Sequence, residues 1–340
     1  MHVVAMREEI ALNTRSAQNM LDHPVGGKKA WLRDDIRPED WLLRLPGECL
    51  AELRAVLPML PPETTPVEQI DAGRFALPAC RAFMGRVKAV LDDGVRFAIV
   101  DRLPLDELSE YQANALYWIL SCFIARPVQQ KLTGAMTYKV HDTGRKATPG
   151  SGVRPDQTNM DQYFHNDNSY NLTPPEYVAL LCVRPAKSGG VSHVISFYTV
   201  NNALLRAHKS VIPRLYRPFW FDRQKENAPD DSDVMSAPVF SFDGERLRAR
   251  LGLFQIRGGY TLRQEPLDAQ AAAAIEALQK VFAEPSLQFD FVMERGHLQF
   301  VNNREIGHRR THFEDFEQPE QKRLLQRLWL RDAGSVNYMG

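Results

Sequence analysis

From about residue 158 onward, short strand-like runs alternate with turns, and this alternation limits the fold more than any other feature of the chain. The candidate strands are Tyr177–Arg184, Ser192–Phe197, Phe219–Asp222, Val234–Phe242, Arg246–Leu251, Leu287–Met293, Leu298–Val301 and Leu324–Arg331. Helix-spaced apolar positions interrupt them at Asn201–Ala207 and Ala269–Phe282. Many short strands with few helices predict a mainly β fold with flanking helices, built on an antiparallel jelly roll.

The first half reads differently. Asp40-Trp41-Leu42-Leu43 and Cys49-Leu50-Ala51-Glu52-Leu53 carry helical spacing, and the proline-rich connector Leu57–Pro66 follows. A helix over Leu77–Leu91, a buried strand over Val95–Val100, one long helix over Leu105–Ala125 and a strand over Thr137–His141 complete it. The organisation expected is one domain over 1–340. A helical part at 1–130 wraps a jelly-roll catalytic core at 131–335. Residues 142–158 are polar with Gly and Pro and run into His165, the expected position of a lid. The N-terminal segment has two expected roles, a cover over the barrel mouth or the interface of a homo-oligomer.

Composition removes several classes of function. Forty-two basic residues balance forty-two acidic ones, which gives no electrostatic case for nucleic acid or an anionic membrane. The longest apolar runs, such as Ala115 to Ala125, are far short of a bilayer span. MHVVAMREEIALNTR lacks the apolar core and cleavage site of a secretory signal. Cys49, Cys80, Cys122 and Cys182 are scattered, as free thiols in a reducing compartment would be, so the expected location is cytoplasmic.

Chemistry concentrates in two stretches, Phe164-His165-Asn166-Asp167 and Asn303-Arg304-Glu305-Ile306-Gly307-His308. On an extended segment, residues two apart project from one side, so His165 and Asp167 would point together. A second imidazole from a distant strand, His308 or its neighbour His312, would complete a two-His-one-carboxylate set. That set covers one face of a metal and leaves the other positions open, as in non-haem Fe(II) oxygenases. His-X-Asp alone is weak evidence, since exposed His and Asp are common.

The last strand adds an independent constraint. Arg323 and Arg327 share a face with Leu325 and Trp329, while Leu324, Leu328 and Leu330 line the other. A buried guanidinium needs an anionic partner, either a bound carboxylate or an acidic side chain elsewhere in the fold.

His165-Asn166-Asp167, the Pro185–Ser192 stretch PAKSGGVS, Asn302-Asn303-Arg304 before His308, and the terminal KRLLQRLWL together resemble the taurine dioxygenase family of Fe(II)/2-oxoglutarate oxygenases. The resemblance covers roughly residues 130–335 with the motifs in order, and it is weak over the first hundred. It implies His165, Asp167 and His308 as iron ligands, and Arg323 on the distal carboxylate of 2-oxoglutarate. Ser192, where the family often has a threonine, would support that arginine, and Arg327 would reach a substrate anion. With O2, the cosubstrate would be split to succinate and CO2 as a C–H bond is oxidised. The metal carboxylate favours hydroxylation, desaturation or cyclisation over halogenation.

Tyr163, Asn166, Asn168 and Tyr170 flank the metal motif and either line a pocket or serve as packing and turn residues. Gln157, Asp161, Arg145 and Lys146 are weaker candidates for substrate contact. Gly258-Gly259 reads as a tight turn, and His193 as an outward-facing sheet residue. The reading that results is a dioxygenase acting on a small anionic or amino-acid-like metabolite, with oxidative release of a heteroatom group as a second oxygenase outcome. A zinc hydrolase with the same ligands and a catalytically silent jelly-roll binding protein are the rivals from other classes.

Overall fold

Alternation along Tyr177–Arg184 builds the centre of the molecule. This strand pairs antiparallel with Leu298–Asn302 on one side and Leu324–Arg331 on the other. The computed structural model describes residues 19–148 and 151–339. The N-terminal run MHVVAMREEIALNTR therefore lies outside the described residues, as do Pro149 and Gly150 of the expected lid. Among the described residues, a seven-stranded sheet runs in the order Leu42–Arg44, Phe97–Asp101, Leu298–Asn302, Tyr177–Arg184, Leu324–Arg331, Arg126–Val128, with Tyr138–Val140 also paired to Leu324–Arg331. A smaller sheet orders Gln288–Phe291, Ser192–Ser196 and Ile306–Arg310.

The two faces of the large sheet have separate partners. Ala179, Leu181, Leu298, Phe300, Leu328 and Leu330 pack with the helices Pro78–Asp93 and Glu110–Cys122. Val178, Val301, Phe97 and Trp329 share a core with Val194, Ile195 and Ile306 of the small sheet. Phe97 also lies 5.6 Å from Phe289 and 6.2 Å from Phe291, ring centre to ring centre. Successive side chains alternate between these environments, as the two-residue period requires.

Local chemistry sets the element ends. Asp268 caps the helix Ala269–Phe282 by accepting from the Ala271 amide at 2.7 Å. Pro78 opens the helix Pro78–Asp93, and Glu52 of a neighbouring helix accepts from the Ala79 and Cys80 amides at 2.8 and 2.9 Å. Burying Cys80, Phe83, Met84, Val87 and Leu91 on one stripe then fixes its orientation.

Several boundaries differ from the sequence expectation. The span Leu105–Ala125 divides into a short 3-10 turn at Leu105–Glu107 and a helix at Glu110–Cys122, because Ser109 forms a capping box with Gln112. Leu42 and Leu43 leave the helical stretch and pair parallel with Ile99 and Val100. Val234–Phe242 divides into Val234–Pro238 and Phe240–Phe242. Ser196 ends its strand and caps a helix that begins at Phe197, four residues earlier than expected. Gly258 and Gly259 lie inside the helix Leu253–Arg263, not in a turn. A Cβ on Gly259 would sit 2.6 Å from the Trp220 backbone, so the pair permits the helix to lie directly on the strand Pro218–Asp222.

All four cysteines are free. Among the described residues, no helix is long and apolar enough to cross a membrane. The first 130 residues contribute Leu42–Arg44, Phe97–Asp101 and Arg126–Val128 to the large sheet.

Candidate active site

His165 and His308 meet through the backbone before they meet through their rings. The His165 amide donates to the His308 carbonyl at 3.0 Å, and the His308 amide returns a bond to the His165 carbonyl at 3.1 Å. His165 also bridges to Gly252, so it extends the small sheet by one residue. The two ring centroids lie 4.4 Å apart.

Asp167 reaches the pair by another route. The expectation that it shares a strand with His165 is corrected: after the bridge at His165 the chain enters a turn that contains Asp167. Asn303 holds this turn, accepting from the Asp167 amide at 2.8 Å and donating to the Asp167 and Pro175 carbonyls at 3.0 Å each. Asn166 points away and ties the Leu251 amide and the Ile306 carbonyl, at 2.8 and 3.1 Å, to the same segment. Its role is structural support.

The resulting cluster is compact. Asp167 Oδ1 lies 3.4 Å from His165 Nε2 and 3.3 Å from His308 Nε2, and the ligand atoms all fall within 4.8 Å of one another. Cis ligands with bonds of about 2.1 Å to one ion are about 3 Å apart, so the donor set fits a divalent metal bound on one face. His165 Nδ1 bonds the Tyr163 carbonyl at 2.9 Å, leaving Nε2 for the metal. His308 Nδ1 is buried and meets no partner among the described residues. His312 is not part of the cluster: its amide bonds Asp161, and it lies outside the strand that carries His308.

The second oxygen of Asp167 is held as firmly as the first. Trp329 Nε1 donates to Oδ2 at 2.6 Å, and Arg327 Nη1 lies 3.0 Å from it. Burial opposes ionisation of Asp167, yet Arg327 and the two imidazoles hold its carboxyl well below the usual range. Burial and the neighbouring His165 lower the pKa of His308, against the pull of Asp167.

The two arginines of the last strand differ. Arg327 was expected to await a substrate anion; instead its Nη1 pairs with Asp156 at 2.8 Å as well as with Asp167, and its Nε bonds Gln130 at 2.9 Å. The acidic partners come from the 142–158 loop and from the metal turn, neither of which is adjacent in sequence. Arg323 is 7% exposed, and no carboxylate among the described residues lies within ion-pair distance of its guanidinium. Burial pushes its pKa down to about 10. Its flat face lies 4.9 Å from the Phe313 ring centre.

Two cavities meet at His165, Asp167, Asp156, Gln162 and Arg327. One is narrow, about 50 Å³, and Ser192, His193, His308, Arg309 and Arg323 line it. His193 borders this cavity, but its side chain lies on the sheet face it shares with Asp290 and Arg309, opposite to His308. The other is a chamber of about 740 Å³, walled by the 142–168 segment together with Gln224, Phe254, Gln255 and Trp329. Tyr163, 55% exposed, and buried Asn168 both line the chamber, as do Arg145, Lys146 and Asp161. Gln157 is turned aside, its amide donating to the Tyr138 hydroxyl at 2.7 Å. Sequence reasoning missed Trp329, Asp156 and Gln130, whose roles depend on contacts across more than 150 residues.

Comparison with known proteins gives the same picture. The model of the family described as taurine catabolism dioxygenase TauD, TfdA matches residues 63–329. FR-33289 synthase of Streptomyces rubellomurinus (strain ATCC 31215) is 23% identical over 316 residues, covering 92% of this chain and 91% of that protein. A crystal structure of asparagine oxygenase with Fe(II), 2S,3S-3-hydroxyasparagine and succinate superposes with a TM-score of 0.65 at 19% identity, covering 86% of this chain and 94% of the other. The non-haem iron oxygenase OrfP with Fe, succinate and (3S)-hydroxy-L-Arg superposes at 0.63 with 15% identity, covering 88% and 99%. At these identities the structural likeness establishes a shared fold.

Proposed function

The chain belongs to the taurine catabolism dioxygenase (TauD, TfdA) family, and on that premise we propose that it hydroxylates an unactivated C–H bond of a small anionic or amino-acid-like metabolite. It is an Fe(II)- and 2-oxoglutarate-dependent dioxygenase that consumes O2 and releases succinate and CO2. The observation that carries the site assignment is the His165–Asp167–His308 cluster facing a buried, uncompensated Arg323 across one narrow cavity. When bound, iron with its 2-oxo acid supplies the oxidising power for C–H cleavage.

The protein's own residues bind and orient. His165 and His308 offer Nε2 and Asp167 offers Oδ1, while Trp329 and Arg327 fix the angle of the carboxylate by holding Oδ2. Arg323 takes the far carboxylate of 2-oxoglutarate, which supplies the counter-charge its burial demands, with Ser192 lining the same cavity. Substrate occupies the large chamber beside Asn168 and Tyr163, and the described residues at 142–148 and 154–158 that wall it exclude water. Solved neighbours hold hydroxylated asparagine and hydroxylated arginine, which supports hydroxylation and an amino-acid-like substrate here. We read the two sheets as the walls of a double-stranded β-helix in a single domain. Four free cysteines favour a cytoplasmic location.

The test is anaerobic addition of Fe(II) and 2-oxoglutarate to metal-free protein. The reading expects a weak visible charge-transfer band from the iron–2-oxo acid chelate, and succinate release on admitting O2 with a substrate. A metallated protein without the band would overturn it in favour of a zinc hydrolase, a reading that leaves Arg323 without a purpose.

A further inference from the structure

The chamber wall carries buried polar atoms that the fold leaves unsatisfied. Arg154 is 3% exposed, yet its Nε and Nη1 meet no hydrogen-bond partner among the described residues. Gln224 Nε2 is in the same condition. Both residues line the chamber. Leaving a buried donor unmade is costly, and more so for a charged group, so native proteins rarely retain one without a ligand or solvent to meet it.

One nitrogen of this guanidinium is engaged. Arg154 Nη2 lies 2.7 Å from Glu226 Oε1, and Lys131 lies 2.8 Å from the same oxygen. Glu226 is therefore shared by two cations, and Asp156 on the chamber wall also acts on Arg154. Arg327 is the reverse, one cation between Asp156 and Asp167. The two guanidiniums flank the same Tyr138 ring, their central carbons 5.8 and 4.6 Å from its centre. Arg154 thus stands near the metal-side arginine with its remaining N–H groups uncommitted.

We propose that Arg154, assisted by Gln224, is the specificity-determining site for the anionic end of the substrate, and that its ligand is an oxyanion head: a carboxylate, phosphonate or sulfonate. The inference rests on the oxygenase reading above and moves anion recognition from the last strand to the loop. With Nη2 held by Glu226, Nε and Nη1 remain as donors on separate edges of the planar guanidinium, each able to meet an oxyanion oxygen. Binding there satisfies the orphaned donors of Arg154 and Gln224 together.

The test uses the anaerobic Fe(II) enzyme saturated with 2-oxoglutarate, so that Arg323 is already occupied. Methylphosphonate, acetate and methanesulfonate are titrated by saturation-transfer NMR on their methyl protons. Saturable millimolar binding of at least one is expected, and the preferred probe identifies the head group. Arg154→Gln should weaken that binding about tenfold or more, and Gln224→Leu by a smaller factor, with the charge-transfer band unchanged in both. Absence of saturable binding by the wild type, or equal binding by Arg154→Gln, overturns the proposal. Should Arg154→Gln lose the band through misfolding, Gln224→Leu decides, and unaltered binding there overturns it equally. A missing band in the wild type would instead count against the oxygenase reading, because the anion titration reads Arg154 with or without iron.

Discussion

Arg323 and Arg327 come from one stretch of chain and are both buried, yet their surroundings differ. Arg327 sits where the two cavities meet, between two carboxylates; Arg323 sits in the narrow cavity with none within ion-pair distance among the described residues. A paired buried cation supports its neighbours, and removing it strands their charge. A lone buried cation carries its desolvation penalty until a ligand arrives. One region is therefore finished by folding, and in our proposal the other is finished by its cosubstrate.

The largest effect tests the point on which both regions converge. His308→Ala removes a proposed metal ligand and should abolish succinate formation while circular dichroism stays native. Retained turnover would return the third ligand to His312. Arg327→Met comes next and probes the finished region directly. It leaves Asp156 and Asp167 facing one another without a counter-charge, and should cost about 3–5 kcal/mol in denaturant unfolding of the metal-free protein. Arg323→Gln should leave that stability nearly unchanged, since no ion pair is lost. Its effect should appear in 2-oxoglutarate affinity, weakened by about ten- to a hundredfold when the charge-transfer band is titrated. If both variants lose stability alike, the contrast between the regions fails.

This contrast also explains what could be read before the structure. Tyr177–Arg184 and Ala269–Phe282 were legible because local pattern and packing agree: a continuous apolar run buried on both faces in one, a capped apolar stripe in the other. The meeting of His165, Asp167 and His308 was legible because a two-His-one-carboxylate set needs those residue types whatever their backbone does. Their geometry was not, since Asp167 reaches the imidazoles through a turn that Asn303 holds from 136 residues away. The partners of Arg327 were hidden for the same reason. A guanidinium announces its need for an anion, but only tertiary contact decides whether Asp156 or a ligand meets it. Gly258-Gly259 misled because two glycines signal a turn locally, whereas here they allow close helix–strand contact.

Trp329 sharpens the comparison on a smaller scale. Its indole N–H lies closer to Asp167 Oδ2 than Arg327 does and, unlike Arg327, brings no charge. Trp329→Phe keeps the aromatic packing against Tyr338 and removes one hydrogen bond from the outer carboxylate oxygen. Such outer partners tune ligands by orientation, so Fe(II) affinity should fall about tenfold, with 2-oxoglutarate affinity following only through the metal. An unchanged Fe(II) dissociation constant would assign the orientation of Asp167 to Arg327 alone.

The smallest expected effect is a pH slope in the metal-free protein. Burial and His165 lower the folded pKa of His308, so the unfolded chain takes up that proton first as pH falls. Its contribution is full above the ordinary imidazole value of about 6.5 and is lost as pH drops through that value toward the folded one. His193 and His297 are lowered too, chiefly by burial, so the wild-type slope has more than one source. The informative quantity is the difference between wild type and His308→Asn across this window. The variant's thermal midpoint should fall less steeply on acidification, because one buried imidazole no longer resists its proton. Parallel profiles would mean that Asp167 offsets the burial of His308 in full, and that the finished half of the site is electrostatically balanced even without its metal.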